Sequence, residues 1–253
     1  MRILVLIILF SITAKAQFEM KPSADMVIMP ISVVGVAVGH TLTNTAELPN
    51  LNDYSNNSIF DIPFFDNINT QYRDTYADVS DLLIGIQLLS PLAYSFSDKY
   101  SNQTETIGMM YYQTMSINYG LNATTKAIIA RSRPLSYDDN TSKDMLLDPD
   151  TRFSFYSGHS STAFASAVFS SIMLSEMPQT TLRDIGIGLN LANATAISAL
   201  RVLAGKHFLS DVVVGALIGS GIAYLITEVH RVDSPINSPQ EFTPARIGFS
   251  VGL

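Results

Sequence analysis

Six stretches of the chain contain no Asp, Glu, Lys or Arg: residues 26–46, 82–97, 107–125, 158–175, 185–200 and 212–227. Each is far longer than the roughly five or six residues of a typical strand. Their Ala, Leu, Ile, Ser and Gly content reads as helix. The expected fold is therefore all-α, a bundle of about six main helices. Charged residues are 15% of the 253, against roughly 25% in an ordinary soluble domain, so much of the surface must be apolar, small or neutral polar. No strong linker separates the stretches, so one hydrophobic core is expected.

Length permits these helices to cross a bilayer, but composition argues against it. Ser, Thr, Asn and Gln are scattered through them, as in GLNLANATAISAL over 188–200, and such groups are costly when they face lipid. Lys and Arg should gather on the cytoplasmic side of a membrane protein. Here they cluster at the helix ends that carry the motifs described below, which conflicts with an exported chain. Export itself is expected from MRILVLIILFSITAKAQ, where Arg2 precedes an apolar run and Ala14-Lys15-Ala16 precedes Gln17. That is the order of a secretory signal peptide cleaved after residue 16, and the run is shorter than the ~20 residues of a membrane span. The sequence favours a bundle in the periplasm, soluble or associated with a membrane surface, with insertion in the inner membrane as the alternative. The expected divisions are the signal peptide at 1–16, a helix and polar surface excursion over 17–79, the main helical domain over 80–230, and a tail over 231–253. The tail's PARIGFSVGL alternates like a short strand.

A net charge of −7 opposes nucleic-acid binding, which needs a basic surface. With no cysteine, disulfides and thiolate metal sites are excluded. The loop over 135–157 holds Asp138, Asp139, Asp144, Asp148 and Asp150. Its DPDTR lacks the alternating oxygen ligands and glycine of an EF-hand, so it reads as a solvated acidic loop.

Three short patterns carry chemistry. In KAIIARSRP, Lys126 and Arg133 are seven residues apart, which on a continuous helix places them on one face. Pro134 biases Arg133 out of the helical region. Taken alone this is equally a solvated helix end. In YSGHSSTAF, Gly158 permits close backbone approach to His159, and the first turn of the following helix offers unpaired N–H groups to an anion. Ser157 or Ser160 is also a plain N-cap. In ALRVLAGKHFLSDVVVGALIG, Arg201, His207 and Asp211 follow in order. If a helix begins near Ser210, the Asp211 carboxylate can reach back to one imidazole nitrogen and leave the other unprotonated. A core histidine beside an N-capping aspartate is the competing reading.

Together these patterns, K-x6-R-P at 126–134, S-G-H at 157–159 and R-x5-H-x3-D at 201–211, resemble the three ordered motifs of the type 2 phosphatidic acid phosphatase (PAP2) family. That family shares its site with class A bacterial acid phosphatases and vanadium haloperoxidases. The resemblance covers about the last half of the chain. It departs from the family pattern at two places: Tyr156 stands where a proline usually precedes S-G-H, and Leu200 where a serine usually precedes the arginine. Tyr156 is expected at the pocket mouth, and Leu200 removes a hydroxyl that could serve phosphate.

The resemblance implies a metal-independent phosphatase acting on phosphomonoesters or pyrophosphates, with lipid-linked substrates favoured. His207 is the implied nucleophile, Asp211 orients it, and His159 is the general acid and base. Lys126, Arg133, Ser157, Gly158 and Arg201 are implied to bind phosphate. No cofactor is implied. A haloperoxidase-like enzyme would instead hold vanadate at the same place, and a decayed anion-binding module is the remaining alternative. The partners implied are a phosphorylated substrate and a membrane surface.

Overall fold

The uncharged stretches fold as long helices, which satisfy their backbone N–H and C=O groups within the segment while presenting few polar side chains to the outside. The computed structural model describes residues 18–47, 49–54, 63, 66, 70–95, 97, 99–100 and 102–232. The signal-peptide stretch and the strand-like tail expected from the sequence lie outside the described residues. Six long helices cover the six stretches: α1 (Pro22–Asn44), α3 (Asp74–Ser95), α4 (Thr104–Ile129), α6 (Gly158–Ser175), α7 (Thr181–Leu203) and α8 (Leu209–His230). Two single-turn helices, α2 (Leu51–Tyr54) and α5 (Lys143–Leu146), and two 3-10 turns, Pro134–Tyr137 and Pro149–Arg152, lie in the connections. Among the described residues the only β feature is a bridge between Phe18 and Arg231.

Helix α6 is the axis of the bundle, packed against α3, α4, α7 and α8, while α1 lies outermost along α4. Small residues let the axis be crowded. Ala163, Ala165, Ala167, Ser160, Ser161, Ser166 and Ser170 on α6 are fully buried. Gly215 and Gly219 bring α8 onto the first turn of α6, where added Cβ atoms would meet Ser157 O at 2.7 Å and Ser161 O at 1.9 Å. Gly120 does the same for α1, against Gly35.

Many of the polar residues that argued against a membrane face inward and bond to one another, while Thr195 is exposed and bonds to Leu191 O on its own helix. Gln87 on α3 donates to Asn190 Oδ1 at 3.0 Å and accepts from Asn193 Nδ2 at 2.9 Å, both on α7. The Ser90 and Ser170 hydroxyls share a bond of 2.8 Å, and Asn118 donates to Thr162 Oγ1 at 3.1 Å. The outward faces are apolar. Val27, Ile31, Val34 and Val38 are exposed on α1, Leu82, Ile86 and Leu89 on α3, and Leu182, Ile185 and Leu189 on α7. In α1 the buried positions are Asp25, Ser32 and Gly39, the reverse of a water-soluble amphipathic helix. Helices α1, α7 and α8 are long and apolar enough to cross a membrane.

The excursion before α3 is not wholly a surface feature. Tyr54 and Asp66 are buried, and Arg73 N donates to Ala204 O at 3.2 Å, joining this segment to the α7–α8 turn.

Candidate functional site

Four helix ends meet at one pole of the bundle: the C-termini of α4 and α7 and the N-termini of α6 and α8. Between them they carry the three sequence motifs, the third running from α7 into α8. Lys126 lies in the last turn of α4, which stops at Ile129 because Ala130 takes a left-handed conformation with φ 47°. Arg133 is therefore not on the helix with Lys126, contrary to the expectation from their spacing. Its extended backbone, φ −75° and ψ 158°, is what Pro134 requires, and this loop carries it back to the pole.

His207 precedes α8 and is 1% exposed. Its Nδ1 lies 2.9 Å from Ser154 O. A carbonyl only accepts, so Nδ1 carries the proton and Nε2 holds the lone pair. Nε2 points to the cationic cluster, 3.3 Å from Arg133 Nη1. The Asp211 carboxylate does not hold the imidazole directly as the sequence suggested: Oδ2 is 3.6 Å from Nδ1. That oxygen is occupied by Ser154 Oγ at 2.5 Å and by Phe208 N at 2.9 Å, while Oδ1 accepts from Arg131 Nη1 at 2.7 Å. The geometric reason is that α8 starts at Leu209, earlier than expected, so Asp211 sits at its third position and caps the helix. Ser154 links the two residues, giving its hydroxyl to Asp211 and its carbonyl to His207. Burial, then the charges of Arg133, Lys126 and Arg201, hold the His207 imidazole well below its ordinary pKa, so the ring is neutral at physiological pH.

His159 is the second residue of α6. Its Nε2 lies 2.7 Å from Asp81 Oδ1 on α3, and the same oxygen accepts from Arg201 Nη1 at 3.1 Å. Arg201 is 5% exposed and also donates to Ser80 Oγ at 3.1 Å. Its Nε is buried without a hydrogen-bond partner. The backbone of Gly158 runs beside Lys126: a Cβ there would lie 3.8 Å from Lys126 Nζ and 2.9 Å from Asn122 Oδ1. Ser157 does not turn its hydroxyl toward the cluster. It accepts from Ser160 N at 3.3 Å as the α6 N-cap, and its own N–H donates to Asp211 O at 3.0 Å, which is the simpler of its two expected roles.

Two further sequence expectations are corrected. Tyr156 is 1% exposed, packed edge-on to Phe155, with ring centroids 6.2 Å apart, so it belongs to the core and not to a pocket mouth. Asp150 is not merely part of a solvated loop. Its Oδ1 accepts from Arg133 Nη2 at 2.6 Å and its carbonyl from Arg133 Nε at 2.7 Å. Burial raises its pKa, but the charges of Arg133 and Lys126 outweigh that and hold the carboxyl well below the usual range. Leu200, half-buried near the end of α7, makes no polar contact that replaces the missing serine.

The motifs did not reveal Ser154, Asp81, Asp66 or Arg131. A second arginine two residues before Arg133 was visible in ARSR, but nothing in its spacing tied it to Asp211.

The family model of the PAP2 superfamily matches residues 108–234, which spans α4, α6, α7 and α8 and every motif at this pole. The chain belongs to the PAP2 superfamily. No curated relative and no solved structure matches the chain. Membership in the PAP2 superfamily supports phosphatase-type activity on phosphorylated substrates in general. The all-α bundle accords with it, since it brings the PAP2 motifs together at one pole from four helix ends and their connections.

Proposed function

We propose that this protein is a metal-independent phosphatase that removes phosphate from lipid-linked monoesters or pyrophosphates through a phosphohistidine. The observation that carries the reading is the aim of the neutral His207 Nε2 into a cluster formed by Lys126, Arg133 and Arg201. Nε2 attacks phosphorus, forming an N–P bond as the P–O bond to the leaving group breaks, and His159, which takes up a proton as the phosphate's negative charge arrives beside it, gives that proton to the departing oxygen. His159 then takes a proton from water, the resulting hydroxide attacks phosphorus, the N–P bond breaks and phosphate leaves. The cations and the Gly158 N–H stabilise the equatorial oxygens as charge builds. Arg201 Nε is a buried donor without a partner, and a phosphate oxygen would supply one. Ser157 serves as cap and not as ligand. Asp81 gives His159 a carboxylate partner that the motifs did not predict.

Lipid linkage and membrane insertion are supported by the apolar exterior. Helices of 22–26 residues reach roughly 33–39 Å at 1.5 Å per residue, enough for the ~30 Å hydrocarbon core. An apolar groove of about 430 Å³ lies between α7 and α8, floored by Phe164 of α6 and flanked by Val202, Leu203 and Leu209, the residues next to Arg201 and His207 in sequence. These features favour a bundle inserted in a bilayer with its catalytic pole at one face, over the soluble periplasmic form.

The test is phosphate release by the purified full chain from an aryl phosphate and from a short-chain phosphatidic acid, with chelator present. His207→Ala should lose at least about a thousandfold, and the lipid should be the better substrate. Undiminished turnover in His207→Ala would end the proposal. Extraction by alkaline carbonate, without detergent, would remove the membrane assignment while leaving the chemistry intact.

A further inference from the structure

Asp211 is anchored from the side away from His207 by residues that are not signature positions of the three motifs. Arg131 Nη1 donates to Asp211 Oδ1 at 2.7 Å and to Ser210 Oγ at 2.8 Å, while its Nη2 donates to Asp66 Oδ2 at 3.0 Å. Asp66 in turn accepts from Ser210 N at 2.7 Å on Oδ1 and from Ser210 Oγ at 2.6 Å on Oδ2. The Asp66 side chain is 1% exposed and that of Asp211 0%. The guanidinium lies over the Phe208 ring, 4.1 Å from its centroid, so it is held from a third direction. One arginine is thus shared by two buried carboxylates, and a residue from the segment before α3 satisfies a first-turn N–H of α8.

Resting on the phosphohistidine reading of the same site, we infer that Asp66 and Arg131 are positioning residues that fix the orientation of Asp211 and set the charge His207 experiences. The physical argument is one of balance. Asp211 alone would place a full negative charge beside the imidazole, whereas Arg131 alone would cancel it and leave nothing to stabilise the imidazolium that develops on attack. With Asp66 included, the three groups carry one net negative charge, partly drawn away from His207. Burial and the charges of Arg133, Lys126 and Arg201 keep the ring neutral at rest, while the net negative charge of this trio, tempered by Arg131, retains attraction for the positive charge of the phosphorylated ring. Other charged groups act on His207: Lys126 on α4, Arg133 and Asp150 on the connections, and Arg201 on α7; Lys206, and His159 on α6 with its partner Asp81 on α3, belong to the same pole. All are unchanged in the variants that test the pair, so they cancel from the comparison.

Opposite substitutions should move His207 in opposite directions. In Arg131→Gln both carboxylates act unopposed, and the titration midpoint of His207 should rise by about half a pH unit or more. In Asp66→Asn the Arg131–Asp211 pair is neutral by itself, and the midpoint should fall. Arg131→Lys, which keeps the charge, should stay close to the unsubstituted protein. Ser210→Ala removes a bond to each partner but no charge, and should not move the midpoint. The measurement is an NMR titration of the full chain carrying 13C-labelled histidine, with the His207 signal assigned by its loss in His207→Gln. The pH dependence of kcat/KM on an aryl phosphate is the second readout, and its acid limb should follow the same two directions. Shifts of the same sign in Arg131→Gln and Asp66→Asn, no shift in either, or an equal shift in Ser210→Ala would overturn the inference and leave the pair as a brace. Because the titration does not need turnover, a protein without phosphatase activity would refute the proposed function while this inference is still judged by the NMR result.

Discussion

Replacing Gly219 by alanine should damage catalysis from a position that touches no substrate. Gly219 lies on the α8 face against the first turn of α6, and its added methyl would sit 1.9 Å from Ser161 O, 2.7 Å from Ser161 C and 3.0 Å from Ser161 Cα. These are backbone atoms within a helix, so they cannot rotate aside. Restoring an ordinary carbon–oxygen contact of about 3.2–3.5 Å requires the helices to part by roughly 1.3–1.6 Å at this level. His207 and Asp211 ride at the start of α8, and Gly158 and His159 at the start of α6, held together by the 3.0 Å bond from Ser157 N to Asp211 O. Separation here therefore opens the gap between the proposed nucleophile, His207, and the proposed general acid, His159. A misplacement of about 1 Å can reduce turnover about a hundredfold, and overpacking costs about 1–3 kcal/mol of stability. Against this, alanine is favoured over glycine in a helix by about 1 kcal/mol, so the net loss of stability should be small and the loss of kcat large. The assay pairs aryl phosphate turnover with thermal unfolding. Gly221→Ala on the same helix is the control, because its Cβ meets nothing within 4 Å. It should keep wild-type kcat and unfold at an equal or higher temperature. A Gly219→Ala protein with unchanged kcat would refute the argument that this helix contact fixes the site.

Asp81→Ala should release Arg201 Nη1 and remove a negative charge from the mouth of the site. Because Asp81 is largely exposed, the gain in binding of inorganic phosphate should be no more than about fivefold, read by competitive inhibition, while kcat falls because His159 loses its acceptor. Weaker phosphate binding would refute this. For His207, the depressed pKa means that only the unfolded chain takes up a proton as pH falls below about 6.5,. Its contribution to stability is complete above that pH and is lost on acidification, so His207→Gln should show a smaller drop in Tm between pH 7.5 and 5. An identical drop in both proteins would contradict the assignment. Gln87→Leu should remove the bonds from α3 to Asn190 and Asn193, at a cost of about 1 kcal/mol, with helix content retained. A gain in thermal stability would show that this polar contact is dispensable.

The helices were legible because six uncharged stretches of this length admit little else, and the site was legible because its motifs are short, local and ordered. Rotation about each helix axis was harder to read, although the signal was present. Leu82, Ile86 and Leu89 recur at helical spacing on one side of α3, with Ser80, Gln87 and Pro91 on the other. Scattered polar residues therefore mean little until they are sorted by face: averaged over the sequence they argue against lipid, and sorted they form an interior. The helix end at Ala130 was not legible, since a left-handed turn at alanine has no local signature of the kind glycine provides.

Asp66, Asp81, Asp150 and Ser154 were missed for a different reason. Asp66, Asp150 and Ser154 sit in polar connections and Asp81 in the first turns of α3 beside Asp74 and Asp78, where acidic and hydroxyl residues are common, so type and spacing could not separate a solvated carboxylate from one aimed at a guanidinium. Their roles arise from where the connections land. Arg133 needs Asp150, Arg201 meets Asp81, and Arg131 is divided between Asp66 and Asp211. A pole that would hold an anion concentrates positive charge, and that charge must be balanced while the site is empty. In an anion site of this kind a buried arginine predicts a nearby carboxylate, and the unassigned acidic residues of the connecting segments are where it should be sought.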